Sequence, residues 1–88
     1  MENMTEEKVN DTLQSFIGNE VFIKIEGVID IEVMYEDFNY FMNKNRFLMS
    51  DKTSHEINIE MANVEIMKSN NDKVVLKLDN KQEVTLQL

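Results

Sequence analysis

Eighty-eight residues, 42% of them hydrophobic, suffice for one small domain with a thin core and argue against a disordered chain. The absence of cysteine excludes disulfide frameworks and thiolate metal sites, and no apolar run approaches the ~20 residues that a membrane helix needs. Nine Lys and Arg against seventeen Asp and Glu leave a net charge of −8. That charge repels polyanions, so any nucleic-acid contact has to be local, through stacking and base-edge hydrogen bonds.

The first residues, Met1 to Glu7, are acidic where a signal peptide would be basic and then apolar, which points to a soluble, cytoplasmic protein. Thr5 is a good N-cap, and Glu6 and Glu7 suit the positive end of a helix. Val9, Leu13, Phe16 and Ile17 fall on one helical stripe, and Gly18 supplies a cheap helix stop. The spacing predicts a helix over residues 5–17.

Beyond Asn19 the period falls to two. Val21, Ile23 and Ile25 alternate with Phe22, Lys24 and Glu26 as a strand with one wet face. Gly27 marks a turn or bulge. Ile29, Ile31, Val33 and Tyr35 alternate with Asp30, Glu32 and Glu36 in a second strand, which Glu36-Asp37 bends. Tyr40 to Ser50 is strand-forming, with Asn43-Lys44-Asn45 a candidate turn inside it, and Asp51 to Ser54 is a loop. Ile57, Ile59 and Met61 lead to Ala62, Val64 and Ile66 with the apolar parity shifted by one, the signature of a β-bulge near 61–63. Asn70-Asn71-Asp72 turns the chain. Val74, Leu76 and Leu78 precede a tight turn at Asp79-Asn80-Lys81, and Val84, Leu86 and Leu88 make the last strand. The pattern predicts a mainly β domain spanning 1–88, with the helix at about 5–17 and strands at about 20–88. Five or six antiparallel strands would form a strongly bent sheet or small barrel.

Catalysis has little to stand on. The single histidine, His55, sits in or beside a polar loop, and the Ser54-His55-Glu56 run places neighbours on opposite faces of a strand. Asp30, Glu32 and Glu36 share a strand face, as the carboxylates of a wet face do routinely, and two glycines cannot build a phosphate loop. The expectation is a protein that is not an enzyme and uses no cofactor. Met34, Met42, Met49, Met61 and Met67 are read as gap-fillers in the core or as lining of a contact surface.

One stretch is unusual: Phe38-Asn39-Tyr40-Phe41-Met42-Asn43, followed twenty-odd residues later by Met67-Lys68-Ser69-Asn70-Asn71. Together with the helix, the first two strands and Gly27, these resemble the two motifs of the Sm-like (LSm) family over roughly residues 5–78. Asn39 stands where that family has aspartate, Lys68 where it has arginine and Ser69 where it has glycine. The resemblance implies a homo-oligomeric ring joined by sheet edges and a single-stranded, uridine-rich RNA site. Phe41 would stack on a base, Asn43 would bond its edge, Lys68 would cover the other face, and Asn39 and Asn70 would complete the motifs. The residues also admit plainer readings: Phe41 packing in the core, Asn43 as a turn residue, Lys68 as a solvated lysine. The alternative function is an acidic adaptor domain that binds a basic protein.

Overall fold

The computed structural model describes residues 2–70 and 72–88, with side chains from Glu7 onward; Asn71, part of the second motif and of the expected turn, lies outside them. Helix α1 (Glu2–Phe16) is followed by β1 (Val21–Glu26), β2 (Ile31–Tyr35), β3 (Asn39–Met42), β4 (Arg46–Ser50), β5 (Glu56–Glu60), β6 (Val64–Ser69), β7 (Lys73–Leu78) and β8 (Glu83–Gln87). All pairings are antiparallel. They make a five-stranded sheet, β2-β1-β8-β7-β6, and a three-stranded sheet, β3-β4-β5.

The protein is thus mainly β with one N-terminal helix, as the patterns predict, but with eight strands where five or six are expected. The difference lies at two corners. Glu36, Asp37 and Phe38 bend the chain from β2 into β3, with Asp37 in the left-handed region at φ 55°. A 3-10 turn, Met61–Asn63, carries it from β5 into β6. The parity shift at 61–63 therefore marks a change of sheet rather than a bulge within one strand. The register irregularity falls slightly later, between Val64 and Ile66. Counting β2 with β3 and β5 with β6 as bent strands restores six, in a meander that β8 closes by pairing with β1.

The helix begins at Glu2, so Thr5 lies inside it rather than at its cap; nothing in Glu2–Met4 breaks a helix. Its stripe of Val9, Leu13 and Phe16 is fully buried, while Ile17, expected on the same stripe, is exposed. The reason is that the helix stops at Phe16 and Gly18, at φ 82°, turns the chain away. Two bonds then tie this corner to the β2–β3 corner: Gly18 N donates to Phe38 O at 2.8 Å, and Phe38 N to Asn19 O at 3.1 Å. Ile29 is likewise exposed, because the β1–β2 loop extends to Asp30 and the strand starts at Ile31.

Helix and both sheets share one core. Val21 and Ile23 from β1, Val74 and Leu76 from β7, and Val84 and Leu86 from β8 meet Phe47 and Met49 from β4 across it. An aromatic chain runs through this core. Phe38 lies edge-on to Phe16 at 6.3 Å and stacked on Tyr40 at 6.2 Å, and Tyr40 is edge-on to Phe47 at 6.1 Å. The Tyr40 hydroxyl satisfies itself on the Asn10 carboxamide and carbonyl, pinning β3 to the helix.

Candidate binding surface

The β3–β4 hairpin presents part of the expected site. Strand alternation sends Tyr40 and Met42 inward with their partners Met49 and Phe47, which leaves Asn39 and Phe41 on the outer side. Phe41 is 51% exposed and lies across from Leu48. Packing in the core falls to Phe38 and Tyr40 instead. Asn43 serves the turn: its Oδ1 accepts from the Asn45 and Arg46 amides at 2.8 and 2.9 Å. The Asn39 side-chain oxygen accepts from Tyr40 N at 2.9 Å.

Lys68 and Asn70 stand on the other sheet. Asn70 begins the β6–β7 turn, its Oδ1 accepting from Asp72 N at 3.2 Å and its carbonyl from Thr12 Oγ1 at 3.3 Å. Among the described residues no strand pairing joins β3 to β6. The structure keeps Asn39, Phe41 and Asn43 on one hairpin and Lys68 and Asn70 together at the end of β6.

Lys68 belongs to a different neighbourhood, set by the register of the five-stranded sheet. Opposed residues share a face, so the rows can be read across the strands. One row runs Lys68–Val75–Thr85–Lys24–Glu32, the next Lys73–Gln87–Phe22–Met34, and a third Ile66–Lys77–Glu83–Glu26. This is the outer face, since the alternate residues Ile23, Val74, Leu76, Val84 and Leu86 are buried. These rows hold four lysines and three glutamates and sum to +1, in a chain of −8. The rest of the molecule carries the acid.

Phe22, 55% exposed, and Met34, 43% exposed, are opposed on β1 and β2. With Lys24, Glu32, Thr85 and Gln87 they line an open groove of about 390 Å³. Lys24 Nζ lies 3.8 Å from both Glu26 and Glu32, so its charge is largely answered locally. Sequence reading places Phe22 on a wet face without marking it. The available signal was an aromatic residue at a position where its strand neighbours are Lys and Glu.

The Asp51–His55 loop makes a closed polar cluster. Asp51 Oδ1 accepts from Thr53 N, Thr53 Oγ1 and His55 N at 2.9–3.0 Å, and Oδ2 is 3.2 Å from His55 Nδ1. Partial desolvation works to raise the Asp51 pKa, but the bonds from Thr53 and His55 prevail and hold it at about 2. His55 is thereby tied into its own turn. Asp30, Glu32 and Glu36 also have separate duties: Asp30 accepts from Gly27 N, Glu32 meets Lys24, and Glu36 pairs with Lys52.

Comparison of the chain with protein-family models, with curated proteins and with solved structures gives no match. No helix among the described residues is long and apolar enough to cross a membrane.

Proposed function

We propose that this protein is a non-catalytic binding domain that docks a protein partner on the outer face of its five-stranded sheet. The observation that carries this is the Phe22–Met34 pair, exposed at the β1–β2 edge of the least acidic face of an acidic molecule. Aromatic and methionine side chains are the anchors protein interfaces favour, and the Lys and Glu rows around them form a polar rim. The partner offers an apolar side chain for the groove; the face itself is near neutral, so the −8 of the whole domain acts as a long-range attraction for a positively charged segment around that anchor. Selection from a displayed random-peptide library tests this. Enriched peptides should combine an aromatic or aliphatic anchor with Lys or Arg, and should shift the amide resonances of β1, β2 and β8. Phe22→Ala should weaken the selected peptides ten-fold or more. Peptides that shift only β3 and β4, or none selected at all, would sink this reading.

A second reading keeps the Sm-like expectation of a homo-oligomeric ring and single-stranded RNA. It is favoured by the exposure of Phe41 beside Asn39, a stacking platform worth ~1–3 kcal/mol per base. Titration with oligouridine separates the two: RNA binding lost in Phe41→Ala and indifferent to Phe22 would favour the second.

A further inference from the structure

Four strands end the two sheets, and three of them are protected. β6 carries Glu65, Lys68 and the Val64/Ile66 irregularity, and α1 packs along it. β5 has Glu56 and Glu60 at its two ends. β3 is four residues long and bonded to the helix through Tyr40. These are the ordinary devices that keep sheet edges from pairing. β2 has the least of them, a single mid-strand charge at Glu32. It is Ile31-Glu32-Val33-Met34-Tyr35, regular, paired only with β1, with one charge in five residues. Its core-side row is incompletely covered: Ile31 is 46% exposed and Val33 only half-buried, whereas Tyr35 at the far end is buried. The loop after β4 closes the strand there, Lys52 N donating to Glu36 O at 3.0 Å.

We infer that β2 pairs antiparallel with β2 of a second copy, about a two-fold axis at Val33, joining two five-stranded sheets into one. The sequence of the strand selects both the occupant and the register. When two copies keep their outer faces on the same side, opposed residues have the same parity, so the axis passes through a residue. Centring on Glu32 sets Glu32 against Glu32 of the second copy; centring on Met34 sets Glu32 against Glu36. Opposed like charges destabilise a ladder. Centring on Val33 opposes Glu32 to Met34, Val33 to itself and Ile31 to Tyr35, and uses all five residues. Ile31 and Val33 then continue an apolar row already formed with Ile25 and Ile23 of β1. Asp30 also comes opposite Glu36 of the second copy, but both lie past the ends of the five-residue ladder, and Glu36 is already paired with Lys52, whereas the other two registers place Glu32 itself, in mid-strand, against a carboxylate. The contact is isologous, so it closes at two copies and cannot build a ring. It stands independently of the docking reading.

Each copy carries −8, so net repulsion opposes the dimer and added salt must strengthen it. Binding of a basic peptide would respond to salt in the opposite sense. Sedimentation equilibrium of the whole chain from micromolar to millimolar concentration, at low and high NaCl, is the test. The mass should rise from 10.4 kDa toward twice that value, more readily in salt. Met34→Glu sets a carboxylate against Glu32 at both places along the seam where the two positions are opposed, and should weaken the dimer roughly ten-fold. Met34→Lys should retain it, and Glu32→Lys combined with Met34→Glu should restore it. Circular dichroism confirms that each variant folds. As a second measure, the β2 amides should gain hydrogen-exchange protection with concentration. A chain that stays monomeric throughout, a larger ring, or Met34→Glu and Met34→Lys behaving alike would overturn the pairing.

Discussion

Phe38 and Phe41 are the same residue type three positions apart, and the structure gives them opposite fates. Phe38 is fully buried and makes two aromatic contacts, whereas half of Phe41 is open to solvent. Truncating a buried phenylalanine costs about 3–5 kcal/mol through lost transfer free energy and the cavity left behind. The edge-on contact with Phe16 and the stack on Tyr40 each add ~0.5–1.5 kcal/mol beyond burial, which places Phe38→Ala at the upper end of that range. Phe41→Ala gives up only half of a burial worth ~1.5–3 kcal/mol, so about 1 kcal/mol is expected. A domain of this size holds about 4–13 kcal/mol in all, at the usual 0.05–0.15 kcal/mol per residue. Phe38→Ala should therefore remove a third or more of the chain's stability, and Phe41→Ala should leave it nearly intact. Urea unfolding followed by circular dichroism reads both, with Phe38→Leu as a milder variant should the alanine fail to fold. Equal losses at the two positions would refute the assignment of Phe38 to the core and of Phe41 to the surface.

Asn43→Ala removes the acceptor of two turn amides and should cost about 1 kcal/mol, while Asn43→Asp, which keeps the oxygen, should cost less; thermal melting of the two variants decides it. At Gly27 an added Cβ would meet Gln82 Cγ at 2.7 Å, so Gly27→Ala should destabilise and Gln82→Ala in the same chain should recover most of the loss, again by melting temperature. Asp51 has its pKa lowered from 3.8 to about 2 by its bonds to Thr53 and His55. A lowered folded-state pKa gives stability that is complete above about 4 and lost as pH falls through 4 to 2. Asp51→Asn should make the acid limb of the stability–pH curve shallower between those values, leaving its shape above pH 5 unchanged.

Much of the fold was legible because its determinants are local. The three-turn stripe of Val9, Leu13 and Phe16, the alternation from Val21 to Glu26 and the Asn43 turn each depend on residues within a few positions of one another. The errors sit where local pattern competes with geometry. Ile17 fits the helical period but lies beyond the point where Gly18 ends the helix. Ile29 fits the strand period but belongs to a loop. The parity shift at 61–63 was visible, yet a bulge and a change of sheet shift parity alike, and only strand pairing tells them apart. The candidate site was partly legible. Asn39, Phe41 and Asn43 share one hairpin and Lys68 and Asn70 another, so proximity within each set follows from sequence, whereas the placement of the two hairpins in different sheets is decided by long-range pairing.

By itself, then, the sequence determined an acidic, cysteine-free β domain with one N-terminal helix, since composition and short-range periodicity suffice for that. It shows no basic patch, because Lys24 on β1 lies far along the chain from Lys68, Lys73 and Lys77 on the β6–β7 hairpin, and those three are interspersed with apolar and acidic residues. Tertiary structure decided that they share one face with Phe22 and Met34, and that β2 is left as the least guarded edge. Both are consequences of register. Which residues stand opposite one another is settled only when distant strands pair, and shifting a strand by one residue would move its whole set of side chains to the other face.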